Sequence, residues 1–113
     1  MKLSPVWRVT VHVPEAHVRR LIDGIRAVDD LRIGAYADVL WISAPGIEQF
    51  RPLEGAQPAL GTIGERVRST DVCVSFGIPR DEARLARLLD AIRANHPWEV
   101  PAVFVDESLS PLP

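Results

Sequence analysis

The sequence predicts an α+β fold in the order β-α-β-β-α-β, with a four-stranded antiparallel sheet and two helices on one of its faces. Three observations predict it. Apolar residues alternate with polar ones in two segments and form short continuous runs in two more, which are the signatures of strands. In two further segments they recur at i, i+3, i+4 and i+7, the spacing of one helix face. Finally, the two helical segments resemble each other, which marks two β-α-β halves.

The first strand spans residues 6–13, where Trp7, Val9, Val11 and Val13 alternate with Arg8, Thr10 and His12. Pro14 ends it and suits a first helical turn. From Glu15 the period changes, and Val18, Leu21, Ile22 and Ile25 define a helix that ends near Val28 before Asp29 and Asp30. A second strand is expected over 34–43, strongest at Val39-Leu40-Trp41-Ile42. Residues 44–64 contain Pro45, Gly46, Pro52, Gly55, Pro58, Gly61 and Gly64, a density of breakers that predicts a long loop without a regular element. The third strand is expected over 66–78, with Val72, Val74, Phe76 and Ile78 in phase. A helix over 81–95 follows, carrying Leu85, Leu88, Leu89 and Ile92, and Pro97 stops it. The fourth strand is expected over 100–105. Residues 1–106 are expected to form a single domain and 107–113 a frayed tail.

An internal repeat supports the two-halves reading. His17-Val-Arg-Arg-Leu-Ile-Asp-Gly-Ile-Arg-Ala27 aligns with Arg84-Leu-Ala-Arg-Leu-Leu-Asp-Ala-Ile-Arg-Ala94, with six of eleven positions identical. Two helices cover one sheet face only. The second strand nevertheless places Val39 and Trp41 on one side and Leu40 and Ile42 on the other. The last strand sets Val100, Ala102 and Phe104 against Val103 and Val105. An open antiparallel face should alternate with polar residues, so packing against further copies of the chain is expected, with closed symmetry.

Composition excludes several classes. The chain has 113 residues, 47% of them hydrophobic, which is one domain's worth. No apolar run reaches the roughly 18 residues of a membrane span. Met1-Lys2-Leu3-Ser4-Pro5 leads directly into the first strand without an apolar core, so a cytoplasmic location is expected. With 13 basic residues against 15 acidic ones the net charge is -2, which gives no footprint for nucleic acid. Cys73 is the one cysteine, so neither an internal disulfide nor a cysteine-based metal site is expected.

Four motifs carry a resemblance. Arg32-Ile-Gly-Ala-Tyr36 resembles the R-I-G-x-Y turn of the domain inserted in Nif-three-like dinuclear metal centre proteins. Phe50-Arg-Pro-Leu-Glu-Gly-Ala-Gln-Pro58 is similar to that domain's F-R-P-x-x-G-A-x-P loop, and Ile63-Gly64-Glu65 to its continuation. His96-Pro-Trp-Glu-Val-Pro-Ala102 is similar to its H-P-Y-E-E-P-A, and also to the H-P-Y-E-V-P of CutA proteins. The resemblance runs from Val9 to Val105. It implies a ferredoxin-like fold of the CutA and PII-like group, whose members typically form trimers. The dinuclear metal ligands of the Nif-three-like proteins have no counterpart here. Val100 and Val103 stand where the inserted domain has Glu and Tyr. CutA proteins are linked with divalent cation tolerance and PII proteins with nucleotide sensing. Neither ligand motif is evident in this chain.

The candidate residues follow. His96 and Glu99 form the nearest approach to a chemical pair, because an imidazole takes up protons or metal near neutral pH and a carboxylate orients it. The structural alternative is a histidinium favoured by the negative end of the second helix. In the loop, Arg51 is able to grip a carboxylate or phosphate, unless Glu54 holds it. Gly55 permits positive φ and close backbone approach. Phe50, Arg51, Glu54, Gly55, His96, Trp98 and Glu99 are therefore the expected ligand-binding or subunit-contact residues. His12 and His17 lack any metal-binding spacing. Cys73 reads as a small strand hydrophobe, and Trp7, Trp41 and Trp98 as packing residues rather than a stacking platform. No Ser-His-Asp arrangement or phosphate loop is present, so no catalytic residue is assigned. The expected function is an oligomeric, non-enzymatic binding, regulatory or assembly module, with a trimer favoured. The alternative is a divalent cation-binding protein of CutA type, the one cofactor class the resemblance leaves open.

Overall fold

The computed structural model describes residues 2–113. Its elements are β1 (Ser4–Pro14), a 3-10 turn (Glu15–His17), α1 (Val18–Arg26), β2 (Trp41–Ile42), β3 (Gly46–Phe50), β4 (Val67–Pro79), α2 (Glu82–Asn95) and β5 (Val103–Ser110). All strand pairings are antiparallel. β1 and β4 are the central strands, β5 lies along the outer side of β1, and β2 and β3 share the outer side of β4. The sheet is thus four strands wide, with one edge strand broken in two. This is the expected ferredoxin-like α+β arrangement, with five strand segments in place of four.

The core follows from strand phase. Val9, Val11 and Val13 of β1 lie opposite Phe76, Val74 and Val72 of β4, and Trp7 lies opposite Ile78. Paired residues share a face in an antiparallel ladder. That face is covered by Leu21 and Ile25 of α1 and by Leu88 and Ile92 of α2, all fully buried. Leu31, at φ 47°, drops into the same core from the loop after α1. Gly24 marks the tightest helix contact, because a Cβ there would meet the Asn95 side chain of α2.

Three expectations about strand limits need correction. Residues 34–40 form no strand. Asp38, at φ 59°, bonds Asp30 through its backbone and Arg26 through its carboxylate, and Val39 N donates to Leu31 O. These contacts curl the segment back onto the end of α1. The run 44–64, expected to be a loop throughout, contains β3. Ser43 N donates to Cys73 O, and Ser43 Oγ accepts from Cys73 N at 2.8 Å. Gly46 is then opposite Asp71, so Ala44 and Pro45 together face Val72 alone. This is a bulge at a proline, where no ladder donor exists. Beyond it the edge resumes.

The third correction concerns the tail. β5 runs on to Ser110, paired opposite Ser4, so most of the stretch expected to fray is strand. Arg80 holds it. Its guanidinium donates to Val6 O and Ser108 O and lies 5.4 Å above the Trp7 ring. That geometry is a cation–π contact with two backbone anchors.

The uncovered sheet face also differs from expectation. The strands at its edges supplied the apolar residues in the sequence reading, but β1 and β4 occupy its centre and present Arg8, Thr10, His12, Ser69, Asp71 and Ser75 there. One cross-sheet row reads Trp41, Ser75, Thr10, Phe104. Its ends are exposed, Trp41 at 71% and Phe104 at 56%, so Trp41 is not a packing residue within the chain. No helix among the described residues is long and apolar enough to cross a membrane.

One ion pair ties the two helices' ends. Arg84 near the start of α2 donates to both oxygens of Asp29 after α1, at 2.7 and 2.9 Å, and Asp29 Oδ1 also accepts Leu31 N. The Arg84 bonds hold the Asp29 carboxyl below its usual range. Its stabilising effect is therefore complete above the ordinary value of 3.8 and is lost as pH falls through the lower folded value. Asp29→Asn should cost about 2 kcal/mol in urea unfolding at neutral pH, with the difference from wild type shrinking in acid. Arg80→Ala should raise amide exchange in 106–110 at least tenfold over that in β4. Equal exchange in the variant and wild type would show that the tail needs no clamp.

Candidate functional site

The breaker-rich loop is ordered by its own backbone. Phe50 ends β3, and the chain turns at Leu53–Ala56, where Ala56 N donates to Leu53 O and Gly55 sits at φ 96°. Gly64 N donates to Pro52 O at 2.7 Å and closes the loop. Gly61, at φ 94°, lies against Val67, with no room for a Cβ. The positive φ and the close approach together require glycine there.

The segment after α2 is ordered by His96, which is 5% exposed. Its Nδ1 accepts from Trp98 N at 3.1 Å, so the proton is on Nε2, which donates to His12 O at 2.7 Å. Burial lowers its pKa, and the imidazole is neutral. It contacts no helix carbonyl, so the histidinium cap of the sequence reading is replaced by a neutral ring pinning residues 96–98 to β1. With both nitrogens engaged, it has no lone pair left for metal or proton transfer.

That pin sets Trp98 against the loop. Its ring lies 5.0 Å from Phe50 and 5.7 Å from His96. Glu99 Oε1 accepts Gln57 N at 3.0 Å, joining the two motifs across 42 residues of chain. Between them lies a cleft of about 270 Å³, lined largely by apolar side chains. Of the expected site residues, Phe50, Arg51, Trp98 and Glu99 line it. His96 stands behind Trp98, while Glu54 and Gly55 are exposed on the turn outside. Arg51 and Glu54 form no ion pair with each other. No three His, Cys, Asp or Glu side chains among the described residues are placed to hold a metal ion.

Glu48, absent from the sequence reading, also lines the cleft. With Gly46 opposite Asp71 and Glu48 opposite Ser69, the two acids lie on the same sheet face and line one hollow, and the Glu48 carboxyl is pushed up to about 7, first by burial and then by Asp71. Asp71 itself accepts from Ser69 Oγ at 2.5 Å. The signal available in sequence was the lone acid in Ile47-Glu48-Gln49 and another in Thr70-Asp71-Val72. It became legible only once β3 was known to pair with β4.

No family model matches the chain. Among curated proteins, it is 36% identical over 92 residues to a protein of Mycobacterium leprae named "GTP cyclohydrolase 1 type 2 homolog", covering 81% of this chain and 23% of the relative. The chain spans about a quarter of the length of the curated relatives it matches. A Bacillus cereus protein related to NIF3 superposes with a TM-score of 0.76 and 22% identity, over 99% of this chain and 28% of that one. CutA1 from Oryza sativa gives 0.64 and 19%, over 93% and 81% of the two chains. CPII, a nitrogen regulatory PII-like protein from Thiomonas intermedia solved with ADP, AMP and bicarbonate, gives 0.61 and 16% over 99% of both. The chain is a domain of the CutA and PII-like fold, and it resembles the stretch of the NIF3-related proteins that it matches.

Proposed function

We propose that this domain is an oligomeric, non-enzymatic binding and regulatory module, with a trimer as the favoured assembly. The observation that carries the binding role is the convergence of two motifs, 50–58 and 96–100, on one cleft with an aromatic wall and an arginine. A largely apolar hollow with few polar groups suits a small ligand. Phe50 and Trp98 would meet a flat apolar ring, and Arg51 an anionic substituent. The non-enzymatic reading is supported by the fold likeness to CutA1 and to a nitrogen regulatory PII-like protein. The assembly reading is supported by the exposed Trp41 and Phe104 at the ends of the uncovered face. The fold likeness to CutA1 and a PII-like protein agrees with both.

Light scattering should give three times the 12.5 kDa chain mass. Trp41→Ser combined with Phe104→Ser should shift it toward one. A wild-type monomer at high micromolar concentration would overturn the assembly. For the cleft, anilinonaphthalene sulfonate is a suitable probe, being aromatic and anionic. Its fluorescence enhancement should fall at least tenfold in affinity in Trp98→Ala, and severalfold in Arg51→Ala, with circular dichroism unchanged. Affinity indifferent to both substitutions would overturn the cleft as the site.

A further inference from the structure

Glu48 stands in the wall between two hollows. One is the cleft of Phe50 and Trp98. The other, about 140 Å³, lies between β3 and β4 and is lined also by His12, Ser43, Asp71 and Cys73. Asp71 is 4% exposed. Its Oδ2 and Glu48 Oε1 are both shielded from solvent, and neither has a hydrogen-bond partner when both groups are ionised. Two facing carboxylates out of water repel, and each orphaned acceptor is costly. A single proton removes both problems, because a carboxylic acid donates to the carboxylate opposite.

We propose that Glu48 and Asp71 share one proton that fastens β3 to β4, and that its release loosens the β3 edge and with it the Phe50 wall of the cleft. As regulation of ligand binding, this rests on the cleft being the functional site. The strand placement makes the lever direct, since Glu48 and Phe50 are two residues apart on a five-residue strand.

From β1, His12 Nδ1 lies 3.9 Å from Glu48 Oε1, beyond hydrogen-bonding distance but within ion-pair distance when the imidazole is protonated. From β4, Cys73 and Ser69 flank Asp71, and Ser69 Oγ is already spent on Asp71 Oδ1. On the cleft side Arg51 and Glu99 share the lining with Glu48. At the end of α2, His96 feels Asp71 but is neutral and bonded at both nitrogens. No Lys or Arg among the described residues forms an ion pair with either carboxyl.

The direction of the pH effect follows. Glu48 is raised from the ordinary 4.5 to about 7 in the folded strand. The fastening is therefore complete below 4.5 and is lost as pH rises through about 7. Between these limits the opening constant of β3 should rise about tenfold per pH unit and then level off.

Amide hydrogen exchange on the full chain tests this, with rates at residues 46–50 corrected for intrinsic exchange and compared with those in β1. Wild type should show the slope and the plateau. Glu48→Gln, whose amide donates to Asp71 in place of the proton, should be flat and closed over the same range. Asp71→Asn should move the plateau to lower pH. A flat wild-type profile, or a slope surviving in Glu48→Gln, overturns the shared proton whether or not the dye binds the cleft. Dye affinity indifferent to Trp98 removes the cleft instead, and a wild-type slope abolished by Glu48→Gln still supports the fastening.

Discussion

Nine consecutive residues of β1 face nine of β4, from Val6 opposite Pro79 to Pro14 opposite Asp71. On one side this ladder carries Trp7, Val9, Val11 and Val13 against Ile78, Phe76, Val74 and Val72, an aliphatic strip that must be kept from water. Everything else is attached to it. Both helices exist as amphipathic covers for the strip. β5 and the broken β2–β3 edge add to its two sides. The cleft depends on it too, because His96 is anchored to the carbonyl of His12 on β1, while Phe50 arrives on the edge of β4.

The site is built by a division of labour between backbone and side chains. Glycines at positive φ let the loop after β3 close on itself, so that it needs no strand partner. A neutral histidine spends both ring nitrogens on backbone groups, which fixes the segment after α2 at little cost in exposed charge. The Gln57–Glu99 bond then joins two rigid pieces rather than ordering two floppy ones. What remains free at this junction is an aromatic wall, one arginine and the Glu48 carboxyl.

The face away from the helices shows a different economy. Its centre is polar and partly self-satisfied, with Thr10 Oγ1 and Ser75 Oγ 3.4 Å apart. The buried Asp71 and the half-buried Glu48 sit at one end beside the bulge. Apolar surface is confined to the two edges, at Trp41 and Phe104.

Period, repeat and breakers determined a good deal on their own. Val9-Thr10-Val11-His12-Val13 reads as a half-buried strand in any context, and the two leucine-arginine helices read as helices, because local spacing sets which side meets the core. The motifs 50–58 and 96–102 were also legible as residues of interest. The tertiary structure decided the rest. It showed where strands end, since β5 continues to Ser110 only because Ser4 and Arg80 are there to receive it. It placed β3 beyond Pro45, which a single chain segment cannot reveal when Ser43 holds the edge to Cys73 across the ladder just before the proline. It also brought Glu48 beside Asp71. Two acids 23 positions apart acquire a common proton only when a bulge sets their register, and no local pattern encodes that distance.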